Sequence, residues 1–369
     1  MKIQTATATK TANIIIDFFS NIDRIDDYFR LRKIERVKNL PSPIPGFCLE
    51  DDMFQNYDTS PEDMDIEVTQ IDNQTFNTML EKVASFSPDQ APGKELKLVV
   101  KERNTNTILG FIKLGSPIIN SKPRNNYLGA VPELTIFNQR AIMGFVIVPV
   151  QPFGFNYLGG KLMALICTSH KVREMLNEKY NTEFCLFETT SLYGNIKGMS
   201  MYDGLKPFLR FKGDTESKFV PTLGEESYFL CKKLIEDDIQ DDIIHKGASS
   251  RKLKITSKMI SLVKSSLKET DITLYEKFVS AIKKAEGVTT QKRFYMSDYG
   301  YENARDVLLG KTETLIKGPN YHKHDLENII SWWKRKATSR YNKLKEQNKV
   351  RNELEVWNKD TMNTIDIIR

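Results

Sequence analysis

The chain has 369 residues, of which 40% are hydrophobic and 28% are charged, and this composition argues against disorder and predicts two globular units. The net charge of +6 is uneven, because residues 246–369 contain 26 Lys and Arg against 15 Asp and Glu, and such asymmetry indicates contact with a polyanion. The scattered cysteines (Cys48, Cys167, Cys185, Cys231), the lack of a stretch of about 20 apolar residues and the lack of a secretory signal predict a cytoplasmic protein without membrane spans.

The N-terminal residues predict a helical arm followed by a linker. Ile15, Phe18 and Ile22 recur at helical spacing, so we expect a helix over residues 12–36 within an arm at 1–40. Residues 41–64 are rich in proline and acidic residues, and this composition predicts an irregular linker.

The sequence pattern of residues 65–216 predicts a single α/β domain. We expect strands at 66–71, 96–101, 108–112, 141–150 and 183–189, and helices at 73–85 and 157–177. The turn Arg103–Asn106 joins the second and third strands as a hairpin. The run Ala141–Val150 is almost wholly apolar, as in a strand that is covered on both faces. The order β-α-β-β-β-α-β predicts an α/β (α+β) fold with a mixed central sheet and flanking helices.

The remainder of the chain predicts a mainly α-helical C-terminal region. A helix and a linker occupy residues 217–250, and residues 251–369 form the basic, mainly helical part. Within these ranges we expect helices at 225–237, 252–267, 274–284, 301–309 and 324–354.

The loop between the apolar strand and the following helix is a candidate phosphate-binding site. Backbone N–H groups at the start of a helix bind phosphate well, and glycines let the phosphate approach. The candidate residues of this donor loop and its surroundings are Val148, Gln151, Gly154, Asn156, Tyr157, Leu158, Gly159, Gly160 and Asn195. The alternative is that the glycines serve only to let the strand and helix pack closely.

The same segment resembles the GNAT acyltransferase superfamily. The strand ends in Val148-Pro149, a glycine-containing loop opens a helix, and the run Asn195–Tyr202 follows the next strand. The resemblance implies a GNAT-like sheet and acetyl-CoA or another acyl-CoA as cofactor. Tyr157 stands where the family has glycine, and this bulky residue narrows the space for a pyrophosphate.

A second resemblance involves the segment after the hairpin. The runs Gly110–Pro117, Lys122–Gly129 and Asn138–Arg140 resemble phage and bacterial proteins related to DruA of the Druantia defence system, and more distantly the Mom-like DNA-modification proteins. This resemblance implies a phage or bacterial origin, with DNA as substrate or target.

Four residues are candidates for catalysis. Acyl transfer to an amine requires a base and an acid. Tyr202 matches the acid of the GNAT family, and Glu188 is a candidate base because burial in a strand raises the pKa of a carboxyl group. Ser116 and Arg124 follow the hairpin in a loop that would cover a substrate. Each residue also has a structural alternative: Tyr202 as a packed aromatic ring, Glu188 as a carboxylate at the rim of the sheet, Ser116 as a turn residue and Arg124 as a solvated side chain.

We expect neither a catalytic histidine nor a metal site. His170 lies within a predicted helix beside Lys171, where a histidine is more often a surface or core residue. His322 and His324 lie near Asp325 but have no further ligands in sequence, so they make a poor zinc site.

Basic and aromatic residues alternate in the C-terminal region. Cations contact phosphates and aromatic rings stack on bases, so the mixture predicts contact with nucleic acid, most simply DNA. The candidate residues are Lys292, Arg293, Trp332, Lys334, Arg335, Lys336, Arg340 and Lys343. The alternative is a basic amphipathic helix whose tryptophans pack on the core.

Two functional hypotheses follow from the sequence. The first is a GNAT-like transferase that modifies DNA bases and grips the polymer with its basic C-terminal region. The second is a catalytically inactive GNAT-fold factor that binds DNA or a protein in phage–host conflict. Tyr157 in the donor loop favours the second, and the oligomeric state stays open.

Overall fold

A computed structural model describes residues 2–40, 49–86, 93–216, 222–244, 251–288 and 291–368. The helices are α1 Thr5–Ser20, α2 Ile25–Lys38, α3 Leu49–Asp52, α4 Asn73–Val83, α5 Lys122–Leu128, α6 Leu134–Arg140, α7 Phe153–Tyr157, α8 Gly159–Cys167, α9 His170–Tyr180, α10 Tyr193–Ile196, α11 Glu225–Ile239, α12 Arg251–Thr270, α13 Ile272–Glu286, α14 Ala304–Leu308 and α15 Leu326–Glu346. The strands are β1 Ile66–Gln70, β2 Glu95–Glu102, β3 Thr107–Gly115, β4 Ala141–Pro149, β5 Leu186–Ser191, β6 Arg210–Asp214 and β7 Arg293–Ser297.

The chain divides into two compact units. The α/β unit consists of Leu40–Glu216 and Gln291–Thr361, and the helical unit consists of Met1–Asn39, Ser217–Thr290 and Met362–Arg369. The predicted fold class is confirmed, since a mixed sheet with flanking helices is combined with a mainly helical C-terminal region.

The α/β unit is built on one seven-stranded sheet in the order β1-β2-β3-β4-β5-β7-β6. Strands β4 and β5 are parallel, and each of the other neighbouring pairs is antiparallel. The apolar strand β4 lies in the middle of the sheet, and most of its residues are buried. This position explains why the run Ala141–Val150 carries almost no polar residue.

The predicted strand, helix and hairpin at the start of the domain are present. Asp72 caps α4 by accepting a hydrogen bond from the Thr75 backbone N–H at 2.9 Å, and the buried Phe76, Leu80 and Val83 lie on one face of that helix. In the hairpin, the Glu102 carboxylate accepts a hydrogen bond of 2.7 Å from the Thr105 backbone N–H. The polar turn is thereby tied to the end of β2.

The described part of the predicted linker at 41–64 belongs instead to the α/β unit. Phe54, Tyr57 and Met64 are buried in the main core of that unit, and the Phe54 N–H donates to the Ile108 carbonyl oxygen at 3.1 Å. Aromatic residues spaced among acidic ones therefore supply core contacts here. Residues 41–48 lie outside the described part of the chain.

Strand β7 is the main correction to the predicted C-terminal region. Its residues pair antiparallel with both β5 and β6, so the sheet of the domain predicted at 65–216 is completed by a strand from beyond residue 251. Phe294, Tyr295 and Met296 are buried there. The β-propensity of this aromatic run outweighs the helical pattern of its surroundings.

The predicted arm at 1–40 is two helices, and it packs within the helical unit. Helix α1 contacts α11, α12 and α13, and α2 contacts α11. Ala8, Ile15 and Phe19 of α1 are buried, as are Ile255 and Met259 of α12. The regions predicted at 217–250 and 251–369 are therefore divided differently. Helices α11 to α13 belong to the helical unit because their apolar faces cover α1, whereas Gln291–Thr361 belongs to the α/β unit.

The described cysteines are free thiols in apolar surroundings. Cys167, Cys185 and Cys231 are buried, and burial raises the pKa of Cys185 and of Cys231 to about 12. Cys48 lies outside the described residues. Across the described ranges, no helix combines the length and the apolar character that crossing a membrane requires.

Candidate functional site

Strands β4 and β5 separate where the predicted donor loop begins. Their parallel pairing runs only from Ala141 to Gly144, whereas β4 continues to Pro149 in register with β3. The C-terminal part of β4 therefore diverges from β5, and the chain then enters α7 and α8. The predicted helix at 157–177 is split into α8 and α9 at Thr168 and Ser169, and Leu158 adopts a left-handed φ of 54° between α7 and α8.

Tyr157 fills the centre of the predicted donor loop. Its ring is fully buried and stacks on Phe153 and Tyr341, with ring centroids 5.4 and 4.9 Å apart. Its hydroxyl lies 2.8 Å from the Tyr57 carbonyl oxygen, and its own carbonyl oxygen accepts a hydrogen bond of 2.9 Å from the Trp333 indole. Helix α15 therefore covers the loop with aromatic side chains.

The loop glycines face protein atoms at close range. A Cβ atom on Gly159 would lie 2.6 Å from the Phe153 ring, and one on Gly160 would lie 2.8 Å from the Met201 sulfur. A Cβ atom on Gly154 would lie 2.6 Å from the Gln151 amide nitrogen. Gly154 and Gly159, which also face Pro149 at 2.7 and 3.0 Å, are needed for close packing, which is the alternative that the sequence left open, whereas Gly160 faces the end of the flexible, partly exposed Met201 side chain.

The other predicted loop residues also serve internal contacts. The buried Asn156 side chain donates to the Arg351 carbonyl oxygen at 2.8 Å and accepts from the Arg351 N–H at 3.0 Å. The Gln151 side chain accepts from the Phe155 N–H at 3.1 Å, and Val148 packs partly buried beside a small apolar cluster. Asn195 lies in α10, and its side chain is outside the described part of the structure.

These contacts do not fit an acyl-CoA pyrophosphate. A diphosphate at a helix N-terminus needs open space in front of backbone N–H groups and close to the glycines. Here the Phe153 ring and Met201 lie against the Cβ positions of Gly159 and Gly160, and Tyr157 stacks on Phe153. The donor loop therefore has the structure of a packing element.

The predicted acid and base lie on opposite faces of the sheet. Glu188 and Thr189 are successive residues of β5, so their side chains point to opposite faces. The ring of Tyr202 packs on Tyr295, which is the cross-strand partner of Thr189, whereas Glu188 pairs with Arg124. The structure therefore does not bring Tyr202 and Glu188 together around one substrate.

Arg124 and Glu188 form a fully buried ion pair. Arg124 lies in α5 rather than in the predicted loop, and its Nη1 atom donates to the Glu188 Oε1 atom at 3.1 Å and to the Ile118 carbonyl oxygen at 2.8 Å. The guanidinium stacks over Phe137 at 4.1 Å. Burial raises the pKa of Glu188 to about 7, although Arg124 lowers it.

Ser116 has a local structural role at the end of β3. Its hydroxyl accepts a hydrogen bond from the Lys94 backbone N–H at 2.9 Å, and its own N–H donates to the Lys94 carbonyl oxygen at 3.3 Å. It thereby holds the end of β3 beside the start of β2.

Helix α15 presents four predicted nucleic-acid residues on one face. Trp332, Arg335, Lys336 and Lys343 stand at positions i, i+3, i+4 and i+11, and the three cations are exposed while Trp332 is half-buried. The Lys336 ammonium lies 6.0 Å from the Trp332 ring, which in turn packs edge-on against Phe208. Cations and an aromatic ring therefore share one accessible helix face.

Two further cations extend this face onto the sheet. Lys161 of α8 donates to the Asp203 carbonyl oxygen at 2.7 Å, and Arg293 of β7 pairs with the Asp203 carboxylate at 2.9 Å. Burial lowers the pKa of Lys161, Asp203 opposes that shift and Lys336 adds to it, so the two ammonium groups are close enough to interact. We define the basic–aromatic surface as Lys161, Arg293, Trp332, Arg335, Lys336 and Lys343.

Exposed apolar side chains border the basic–aromatic surface. Met201 lies beside Gly160, and the Phe211 ring lies 4.7 Å from the Arg293 guanidinium. Their exposed fractions are 38% and 44%, so these side chains remain available for contact. Lys161 was not among the residues predicted from the sequence, because this part of α8 was assigned to the donor loop.

Other predicted cations point elsewhere. The Lys334 ammonium donates to the Glu62 carbonyl oxygen at 2.9 Å, and the Arg340 guanidinium covers the Phe155 ring at 4.8 Å. Burial lowers the pKa of Lys292. Trp333 is fully buried, so one tryptophan of the pair packs on the core, as the alternative interpretation of α15 states.

Two histidines of the α/β unit, His170 and His324, are buried among hydrogen-bond partners, whereas His322 is exposed. The His170 Nε2 atom lies 2.9 Å from the Tyr321 carbonyl oxygen, and the His324 Nδ1 atom lies 2.7 Å from the Thr168 carbonyl oxygen. Burial lowers the pKa of His170 to about 4 and also lowers that of His324. In the described residues, no three His, Cys, Asp or Glu side chains are grouped closely enough to hold a metal ion.

We expect the free energy of unfolding to decrease as the pH is lowered, because of the buried His170. Its folded-state pKa is about 4, below the unfolded value of about 6.5, so the folded protein binds fewer protons between these values. This stability is present above pH 6.5 and is lost as the pH falls, by about 2 kcal/mol between pH 7 and pH 5. Urea unfolding of the wild type and of a His170→Gln variant tests this; an identical pH slope for both proteins would contradict it.

The structure defines an α/β protein with a mixed seven-stranded sheet, a packed donor-like loop and a basic–aromatic surface. Residues 31–200 match the family model described as Druantia protein DruA. That range is therefore DruA-like, and it contains Arg124, Glu188 and the loop, whereas α15 lies outside it. No curated protein and no solved structure matches the chain.

Proposed function

We propose that this DruA-like chain binds nucleic acid, most simply DNA, in the cytoplasm as part of bacterial defence against phage. The observation that carries the proposal is the basic–aromatic surface. Exposed cations neutralise phosphates and a half-exposed tryptophan stacks on a base, and Trp332 and Lys336 offer both within one helical turn.

We further propose that the α/β unit is a GNAT-like scaffold without an acyl-CoA site. The divergence of β4 from β5 after Gly144 supports the architectural part of this proposal. The packing around Tyr157 and the separation of Tyr202 from Glu188 support the absence of transferase chemistry. Of the two hypotheses, the non-catalytic binding factor thus agrees better with these contacts than DNA-base modification does.

Lys336→Gln is expected to weaken DNA binding by about 3- to 10-fold at 0.1 M salt and to reduce the slope of log affinity against log salt by about 1, because one phosphate contact is lost. Fluorescence anisotropy with labelled single-stranded and double-stranded DNA over a salt series measures both quantities.

Lys345→Gln is the matched control for Lys336→Gln. Lys345 is also exposed on α15, but it lies nine residues from Lys336 and therefore on the opposite face, beside Tyr341. The two variants change the net charge equally. Salt-insensitive binding, or equal weakening in both variants, would show that the basic–aromatic surface is not the contact.

A further inference from the structure

The sheet face next to the basic–aromatic surface carries a second aromatic ring that is open to solvent. Phe211 of β6 is 44% exposed, and its cross-strand partner on β7 is the buried Tyr295, with ring centroids 5.7 Å apart. Arg293 lies two residues before Tyr295 on β7, so the three side chains share one face of the sheet. The Arg293 guanidinium lies 4.7 Å from the Phe211 ring centroid. A cation and an accessible ring therefore adjoin here, as Lys336 and Trp332 do on α15.

Asp203 links these two pairs of a ring and a cation. Its carboxylate accepts a hydrogen bond of 2.9 Å from Arg293, and its carbonyl oxygen accepts one of 2.7 Å from the Lys161 ammonium. The Lys161 ammonium in turn lies close enough to that of Lys336 for the two charges to interact. Arg293, Lys161 and Lys336 therefore follow one another, in this order of contacts, between the two rings.

The groups between the two rings carry more positive than negative charge. Among the described residues that make these contacts, three cations face one carboxylate. That carboxylate also accepts hydrogen bonds from the Tyr295 hydroxyl at 2.8 Å and from the Ser200 backbone N–H at 2.9 Å. Asp203 therefore holds the cations in position, and the excess positive charge favours contact with phosphates.

The accessible rings distinguish between single strands and duplexes. A duplex offers its phosphates but hides the faces of its bases, whereas a single strand exposes both, and proteins that bind single strands combine cations with stacking rings. A wedge that kinks a duplex needs a protruding apolar side chain. Here Trp332 packs edge-on against the buried Phe208 at 5.8 Å, and Phe211 lies against Tyr295. Both rings are thus held against the protein, as stacking platforms are.

We infer that the basic–aromatic surface, extended to Phe211, binds single-stranded nucleic acid in preference to a duplex. Trp332 and Phe211 each stack on a base, and the cations between them contact the intervening phosphates. The side chains of Met199 and Met201, which are 72% and 38% exposed, add flexible apolar contacts beside this path. The inference rests on the proposed function, because it names the form of nucleic acid that the same surface takes.

Fluorescence anisotropy with three labelled probes tests this preference. The probes are a thymidine strand of about 12 nucleotides, the duplex that it forms with its adenine complement, and a uridine RNA strand of the same length. At about 0.1 M salt the single strand is expected to bind at least about 10-fold more tightly than the duplex. The RNA strand separates the two sources of single strands, and tighter binding of either strand than of the duplex supports the inference.

Phe211→Leu is expected to weaken single-strand binding about 5-fold or more, because leucine is apolar but has no face on which a base stacks. The slope of log affinity against log salt should stay unchanged, since no phosphate contact is lost. Phe211→Trp should retain the affinity. The matched control is Phe229→Leu on α11 of the helical unit, where the phenylalanine is 62% exposed. Thermal melts confirm that each variant is folded.

Trp332 gives a direct signal of stacking. The chain contains three tryptophans, and Trp333 and Trp357 are fully buried, so quenching of the tryptophan fluorescence by the unlabelled thymidine strand reports on Trp332. Trp332→Phe should abolish the quenching while a ring remains for stacking.

Several results would overturn the inference and leave the proposed function standing. They are equal or tighter binding of the duplex, an unchanged affinity in folded Phe211→Leu, an equal loss in Phe229→Leu, and the absence of quenching. Tight duplex binding that Phe211→Leu preserves would indicate an apolar wedge instead. Failure of the proposed function looks different, since all probes would then bind without salt dependence or Lys336→Gln would behave as Lys345→Gln does.

Discussion

Replacing Arg124 with methionine is expected to lower the free energy of unfolding by about 3–5 kcal/mol, because the Glu188 carboxyl then stays buried without its partner. In this variant Glu188 folds best as the neutral acid, since its pKa is already raised to about 7 with Arg124 present. When the folded-state pKa of a carboxyl group is raised, its protonated form contributes stability at pH values below the unfolded-state pKa. This contribution is lost as the pH rises through the folded-state pKa. The deficit should therefore be smallest near pH 5 and larger at pH 8, as measured by urea unfolding.

Two further variants serve as controls for this result. Lys122→Met removes an exposed ion pair with Glu216 from the same helix and should cost less than about 0.5 kcal/mol. A double variant, Arg124→Met with Glu188→Leu, should recover most of the lost stability, because apolar residues can replace a buried pair. A loss below about 1 kcal/mol in the single variant, or one that ignores pH, would mean that the buried pair is not an interacting unit.

Replacing Tyr157 with glycine, the residue that the GNAT resemblance leads one to expect, should destabilise the α/β unit by about 3–5 kcal/mol. The change removes the stacking on Phe153 and Tyr341 and leaves a cavity beneath α15. It should not create an acetyl-CoA site, because Phe153 and Met201 still lie against Gly159 and Gly160. Urea unfolding and calorimetry with acetyl-CoA measure the two effects.

Tyr157→Phe separates packing from hydrogen bonding at this position. It keeps the stacked ring and removes only the hydroxyl beside the Tyr57 and Thr59 carbonyl oxygens, so a loss of about 1–2 kcal/mol is expected. If the glycine variant were as stable as the wild type and bound acetyl-CoA, the loop would be a donor site and the scaffold proposal would fail.

Local patterns were sufficient to predict the first five strands. Their signals are alternation, a turn at Arg103–Asn106 and one apolar run, and each lies within the strand itself or its immediate flank. Strand β7 was missed because its five residues are isolated among helices and its partners are far away in sequence. The division into two units is also non-local, since it depends on α1 meeting α11 to α13.

The candidate site was predictable only in part. The mixture of basic and aromatic residues singled out Trp332 and Lys336 in the sequence, and the structure shows that they lie on one face of α15. Whether Tyr202 and Glu188 lie together depends on the face of the sheet to which each side chain points, and the sequence did not reveal these faces. A shift of one residue along β5, from Glu188 to Thr189, reverses that face. The burial of Arg124 was equally hidden, because an arginine after a hairpin carries no local sign of its partner.

The order of the strands also bears on how the chain folds as it leaves the ribosome. Strand β5 is made early, but its neighbour β7 follows only after the whole of Ser217–Thr290 has been synthesised. Until then β5 has an unpaired edge on the side that β7 will occupy, and such edges are prone to misassociation. Strand β6 also pairs with β7, so its pairing is completed at the same time, and the Thr215 N–H then bonds to the Lys292 carbonyl oxygen at 2.9 Å.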